Sequence, residues 1–363
     1  MIPVFAKFYD TPDGVKSFGQ LFRMAVKNVV SYDYNAKWTS GGEFSLVLPT
    51  DKIYVSTLNT GMIVEIDGDW LFVESVNYDY DTITLSGTDA KALLNLRKSV
   101  WYDDEETQGY DAVSGTTAYC IEHYLNNNII DPDDSERAMP FTFNSGGVSG
   151  ITDHYLARLE DVGNIVQVLC ENASIGYSVK GDYNSGKFVF RLESGVDRSI
   201  EQSVRGRVIF TPAWGNVEKQ EFHKDISQLY NAVYATGADV TQEVYRSDTI
   251  PSGLARRETA VSVNVQSVSD IQMYALDAVK DNIERNNFSV VPAVSGYGTD
   301  FTLGDKITVR NPYTGQFYSR VITEVHKSYS DNKKDIQIVV GDKNVKFLGQ
   351  IVNNILSGTQ KRR

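Results

Sequence analysis

From Val29 to Leu85, apolar and polar positions alternate in short runs, the period of half-buried strands rather than of helices. Glu43-Phe44-Ser45-Leu46-Val47-Leu48-Pro49 and Trp70-Leu71-Phe72-Val73-Glu74-Ser75-Val76 carry the apolar, β-branched and aromatic bias of such strands. Met62 to Ile66 is joined to Trp70–Val76 across Asp67-Gly68-Asp69, and Asp-Gly between two such runs is a strong hairpin signal. Thr82 to Leu85 alternates again, so the opening block reads as a small antiparallel barrel or sandwich. After Gly87 the period changes. Ala90, Leu93, Leu94 and Arg97 suit a short helix behind Thr88-Asp89 as cap, placed to plug one end of that barrel.

The next stretch is mixed. Thr116 to Leu125 predicts a helix with Ala118, Ile121 and Leu125 on one side, and Ala157 to Ala173 predicts a second, with an apolar stripe through Leu159, Val162, Ile165, Val166, Leu169 and Cys170. Ile175 to Val179 and Phe188 to Leu192 are strands flanking the turn-forming run Asp182 to Lys187. Leu229 to Thr236 predicts a strand returning to the first barrel, and Gln242 to Thr259, with Pro251-Ser252-Gly253, reads as an exposed loop. A helix follows, with capping-box spacing at Ser269-Asp270-Ile271-Gln272 and a staple between Val268 and Met273. A second strand-rich block runs from Phe288 to Gly341, through Lys306 to Val309, Val321 to Val325 and Ile336 to Val340. Phe347, Leu348, Ile351, Val352 and Ile355 then pattern a short amphipathic helix, predicted as an assembly interface because an apolar face left in water is unfavourable.

The fold class expected is mainly β with α+β insertions: two small antiparallel, tube-like β-barrel domains plus an inserted α+β module. The first barrel takes 1–97 and is completed by about 210–240; the inset takes 98–209. A loop and connecting helix take 241–287, the second barrel 288–345, and a helix and basic tail 346–363. No short-period solenoid repeat is present.

Composition narrows the function more than the fold. At 363 residues the chain exceeds one ordinary core of about 100–150 residues. Its 41% hydrophobic and 23% charged residues are those of a folded globular protein. A formal charge of -12 disfavours general attraction to phosphate backbones, though an acidic surface lining a channel would let a polyanion slide without sticking. The amino terminus lacks the pattern of a signal peptide, and no run approaches the ~18 apolar residues of a membrane helix. Cys120 and Cys170 fall in helix-like apolar patterns and are read as buried thiols of a reducing cytoplasm.

Candidate chemistry is sparse. His123, His154, His223 and His326 stand far apart, with no His-Glu-x-x-His pattern. There is no Gly-x-Ser-x-Gly elbow, and the glycine-rich Ser145 to Gly150 lacks the Gly-Lys-Ser/Thr of a phosphate loop. The acidic runs Asp103 to Glu106 and Asp131 to Glu136 lack calcium-loop spacing and read as solvated faces. No catalytic, cofactor-binding or metal-binding residue is therefore assigned, and no cofactor is expected.

Five stretches, in order, resemble the hub proteins of phage tails, the prophage tail or baseplate-hub-like family. They are Ala36 to Pro49, Leu85 to Arg97, Gly195 to Ser199, Leu229 to Gly237 and Leu303 to Val309. The likeness spans nearly the whole chain and lies in the ordered set, since each piece alone is common in β proteins. The resemblance implies a non-enzymatic virion component at the tail tip, assembled in the host cytoplasm. It further implies a homotrimer whose two barrels per subunit adapt a sixfold tail tube to a threefold tip. Its partners would be the distal tail or tail-tube proteins, the tape-measure protein and a tip or spike protein, with DNA passing through the lumen without specific binding. The chain stops at Arg363, which leaves little room for the additional peptidase or glycan-binding region some members carry. Two other classes compete: a tail-tip cell-wall hydrolase using carboxylates of the inset, and a carbohydrate-binding adhesin using some of the 21 tyrosines and 4 tryptophans.

Overall fold

In the computed structural model, alternation along the strands becomes sidedness. In β3 (Ser31–Lys37), Tyr32, Tyr34 and Ala36 are buried, and the residues between them are partly or fully exposed. The structure describes residues 4–100, 111–227, 229–236, 241–245, 252–262, 275, 285–293 and 296–341. These divide into two compact units, Met1–Gln220 with Ser289–Val340, and Glu221–Phe288 with Gly341–Arg363. The fold is mainly β, as the periodicity predicts.

In the first unit, β1 (Ala6–Tyr9), α1 (Phe18–Leu21), β2 (Phe22–Val26), β3, β4 (Glu43–Pro49), α2 (Lys52–Thr57), β5 (Ile63–Ile66), β6 (Asp69–Tyr78) and β7 (Thr82–Asp89) form the opening block. The β5–β6 hairpin turns at Asp67 and Gly68, with φ of 51° and 85°, the paired left-handed geometry for which Asp-Gly is suited. The short helix expected after Gly87 is a 3-10 turn, Ala92–Leu96, preceded by Asp89, whose carboxylate accepts from the backbone N–H of Lys91 and Ala92.

The inset comprises β8 (Asp111–Thr116), α3 (Thr117–Leu125), β9 (Phe141–Asn144), β10 (Thr152–Ala157), α4 (Val162–Asn172), β11 (Gly176–Asp182) and β12 (Lys187–Glu193). It stands on the opening block through one core, in which Tyr9, Phe18, Leu21, Ile63 and Trp70 of the block join Tyr177, Phe188 and the buried faces of α3 and α4. Helix α4 begins five residues later than the apolar stripe predicts. Residues up to Ala157 instead pair with β8, and Leu159 has φ of 55° and an exposed side chain, a backbone that no right-handed helix contains.

The remaining strands are β13 (Ile209–Phe210), β14 (Val217–Asp225), β15 (Ala232–Thr236), β16 (Thr241–Tyr245), β17 (Glu258–Ser262), β18 (Arg285–Pro292), β19 (Lys306–Arg310), β20 (Phe317–Ser330) and β21 (Lys333–Gly341). Strands β14 and β18 carry the chain out of the first unit and back. In the second unit β15 lies between β16 and β17, around buried Val233, Ala235, Val244 and Ala275. Ala232–Thr236, within the stretch expected to return to the first block, hydrogen-bonds on both edges within a three-stranded sheet of its own. Strand β17 also occupies part of the stretch read as an exposed loop. The connecting helix expected near 268–286 lies outside the described residues except for Ala275 and for Arg285 and Asn286, which open β18; the acidic run 103–106 and Phe347, Leu348, Ile351, Val352 and Ile355 also lie outside them.

The two strand blocks are not separate sheets. A single hydrogen-bonded order runs β14-β18-β21-β20-β3-β4-β7-β6-β5-β1-β2, with β19 also on β20 and β13 on β19. The seam is the antiparallel pairing of β20 with β3, in register from Glu324↔Lys37 to Ser330↔Ser31.

Each block curls about that seam. Lys327 of β20 reaches Asp69 at the start of β6 at 2.6 Å, although β3, β4 and β7 intervene in the ladder. On the other side the Gln220 side chain of β14 donates to the carbonyl of Arg310 on β19 at 2.9 Å, across β18, β21 and β20. Two strand blocks thus share the long strand β20, and in each a side-chain hydrogen bond joins strands that the ladder keeps apart.

Candidate functional site

Four of the five stretches that carry the tail-protein resemblance lie in the first unit, and two of them meet. Gly195 to Ser199 and Leu303 to Val309, more than a hundred residues apart, lie against one another. Asp305, buried, accepts from the backbone N–H of Val196 at 2.9 Å and from Nε of Arg198 at 2.9 Å, and also from the N–H of Thr302. The main chains exchange bonds as well, Lys306 N–H to Val196 O and Arg198 N–H to Lys306 O. A Cβ on Gly195 would fall 1.8 Å from the Gly304 carbonyl oxygen, so the crossing admits only glycine there. Beside it Lys306 bridges to Glu201 at 2.5 Å, which raises its pKa, and the Asp197 carboxyl is held below its usual range by the N–H of Ser199.

Trp38 links this crossing to the inset. Its indole is bracketed by two glycines, Gly304 of the second block and Gly176 of β11, where a Cβ would lie 2.4 and 2.3 Å from the ring. Gly304 also has φ of 91°, a second reason for glycine.

Above Trp38 opens a cavity of about 270 Å³, bounded by β3, the β5–β6 turn, Asp89 to Lys91, β11, and Tyr297, Thr302, Leu303 and Lys327 of the second block. Five of its charged side chains are tied. The Lys91 ammonium is fixed by the carbonyls of Lys37 at 2.6 Å and Trp38 at 3.2 Å, and sits 4.8 Å from the Tyr177 ring centroid. Asp89 accepts from the Tyr34 hydroxyl at 2.8 Å. Burial pushes the Lys91 ammonium down and the Asp89 carboxyl up, each opposed by the charge of the other. At Lys327 burial opposes the charge, but the Asp69 carboxylate and Tyr297 outweigh it and hold the ammonium protonated. Glu193 accepts from Ser178 at 2.5 Å. Asp69, Asp89 and Glu193 thus each have a donor from another segment, an arrangement that fixes segments together.

Elsewhere the histidines are distributed. His123 contacts Asp111 at 2.6 Å in the inset, His326 contacts Asp33 at 2.7 Å on the β20–β3 seam, and His223 lies on β14. Among the described residues no group of three or more His, Cys, Asp or Glu is close enough to hold a metal ion. Cys120 and Cys170 are buried free thiols. Asp131 to Glu136 ends in a 3-10 turn capped by Asp134, and Ser145 to Gly150 is a turn-rich loop with left-handed glycines at 146, 147 and 150. No helix among the described residues is long and apolar enough to cross a membrane.

Sequence reading did not single out Trp38, Asp69, Lys91, Asp305 or Lys327 as site residues. One signal was present: Lys327 falls between Val325 and Tyr329 on the inward parity of β20, where a charge needs a partner.

This fold, a continuous sheet running through two strand blocks with an α+β inset on the first, is shared with solved phage tail proteins. The chain is similar to the 43 kDa tail protein of prophage MuSo2 from Shewanella oneidensis, at TM-score 0.57 and 13% identity over 94% of this chain and 96% of that one. It is similar to the tail protein from Neisseria meningitidis MC58 at TM-score 0.55 and 12% identity, over 93% and 97%. A chain of the Francisella PdpA-VgrG complex matches at TM-score 0.54 and 14% identity, over 94% of this chain and 54% of that one. These identities make the likeness one of fold. The particular family comes from the sequence: a model matches residues 20–342, and the chain belongs to the siphovirus ReqiPepy6 Gp37-like proteins. No curated protein matches by sequence. The resemblance to phage tail proteins read from the ordered motifs therefore holds.

Proposed function

We propose that this chain is a structural, non-enzymatic hub subunit of a siphovirus tail tip. Three copies form a ring, and the two rolled modules of each present six similar walls to a sixfold tube above and a threefold tip below. One observation carries the reading: both modules are built on a single strand, β20, so their spacing is fixed within the subunit by backbone hydrogen bonds. A symmetry adaptor needs that rigidity, because two freely hinged modules would not hold sixfold positions. The ring closes the tube during assembly, holds the end of the tape-measure protein, meets the distal tail-tube and tip or spike proteins, and passes DNA through its lumen. With net charge -12, acidic side chains on the lumen repel phosphates and keep DNA moving. Phe347, Leu348, Ile351, Val352 and Ile355 dock on a neighbouring subunit or tail protein; deletion from Asn344 onward is expected to impair ring or tip assembly.

The test is the particle mass of the full chain by light scattering, followed by class-averaged images. Three subunits with pseudo-sixfold density are expected. A ring of six chains, or a monomer at all concentrations, overturns the reading.

A further inference from the structure

Helix α2 has no buried residue, yet it carries Ile53 at 65% exposure and Val55 at 45%. It is tied to the β6–β7 hairpin tip, since the Thr50 hydroxyl donates to Asp79 O and the Tyr78 hydroxyl to Leu58 O. That tip adds Tyr80, 91% exposed. An apolar knob therefore stands at the end of the first module that adjoins the Ser31↔Ser330 end of the seam. Its charges are acidic: Asp51, Asp79 and Asp81 against Lys52, all exposed.

A second bare aromatic group lies at the other end of β20. The parallel strands β13 and β19 both run out there, Ile209 beside Thr308 and Phe210 beside Val309. Just beyond them are Trp214, 64% exposed, and Tyr313, 85% exposed, with Phe317 under the Arg310 guanidinium at 5.8 Å. Its charges are basic. Arg310 and Arg320 lie there, and neither 209–217 nor 306–320 contains an acidic residue.

Two apolar groups of opposite charge at opposite ends of one strand are complementary to each other and not to themselves. That is the requirement for a head-to-tail contact, which closes into a ring when the rotation allows, and not for a twofold one. We propose that the α2–Tyr80 knob of one copy docks on the Trp214–Tyr313–Phe317 surface of the next copy. This rests on the ring reading above and names its interface.

The test uses the full chain and the protomer concentration of half-dissociation, measured by analytical ultracentrifugation. Asp79→Lys with Asp81→Lys, and separately Arg310→Glu with Arg320→Glu, are each expected to raise that concentration about tenfold or more, as does Tyr80→Ala. Mixing the two charge-reversed chains is not needed: all four substitutions in one chain restore opposite charges and are expected to bring the value back towards wild type. Unchanged circular dichroism confirms that each variant folds. Wild-type-like assembly of the single-face variants, or no recovery in the combination, overturns this interface and leaves the trimer standing. A wild-type chain that never assembles overturns both.

Discussion

The first unit has two joints made by opposite means. The opening block meets the inset through packed rings: Trp70 lies 4.6 Å from Phe18, 5.6 Å from Tyr9 and 6.1 Å from Phe188, centroid to centroid. The opening block meets the second block through a backbone ladder and ion pairs, Asp69–Lys327 at 2.6 Å and Asp67–Lys334 at 2.7 Å. Apolar packing supplies most of the free energy but tolerates small shifts, whereas hydrogen-bond register and paired charges tolerate none. The difference fits the proposed hub, in which the inset needs only to be attached while the two modules are held in fixed phase.

Emptying the apolar joint is expected to have the largest effect. Trp70→Ala removes a side chain that is 5% exposed at the centre of that cluster, and should cost about 3–5 kcal/mol. A loss well below that in urea unfolding would mean the inset is held chiefly by something else. Next is the wedge that touches both joints. Gly304→Ala places a methyl 2.4 Å from Trp38 at a φ of 91°, so overpacking and backbone strain add to about 2–4 kcal/mol. Trp38 fluorescence should shift in the same variant, and an unchanged spectrum with unchanged stability would show that the indole can move aside.

The apolar joint was the more legible of the two in sequence. The strand run that opens at Trp70 and the α3 stripe at Ala118, Ile121 and Leu125 are local signals, each set by residues within a few positions. The polar joint was not legible, because its partners are remote: His326 and Asp33 are 293 residues apart, and Asp69 and Lys327 are 258 apart. No local pattern encodes which strands pair across such distances. The helix start at Val162 was missed for a related reason, since pairing of β10 with β8 overrides an apolar period that would otherwise extend back to Leu159. The destination of Ala232–Thr236 likewise depends on β16 and β17 and not on its own composition.

Breaking one charge of the polar joint gives a smaller effect than emptying the apolar one. Lys327→Met leaves Asp69 without its cation. Because about a fifth of each side chain remains exposed, at 18% and 19%, the cost should be about 2 kcal/mol, below that of a fully buried pair. The double variant Lys327→Met with Asp69→Leu should recover much of this stability, since no charge is left unpaired. Its value is in the comparison: if the modules then lose their fixed phase, ring assembly should fall although stability returns. Retained assembly would show that the β20–β3 ladder alone sets the phase.

The smallest expected effect lies on the outer face of the same seam, where His326 meets Asp33 with Glu324 nearby. The hydrogen bond to Asp33 raises the His326 pKa above 6.5, against the opposing pull of burial. A group bound more tightly to its proton in the folded state stabilises that state wherever the unfolded chain would also be protonated. The contribution is therefore full below pH 6.5 and is lost as pH rises through the folded pKa. With Asp33 more than half exposed, solvent screening limits it to a few tenths of a kcal/mol. The difference in thermal midpoint between wild type and His326→Gln should be greatest on the acid side and vanish in mildly alkaline buffer. A difference of the same size at both ends would assign the residue a packing role, and would leave the seam held by its ladder and by the Asp69–Lys327 and Asp67–Lys334 pairs.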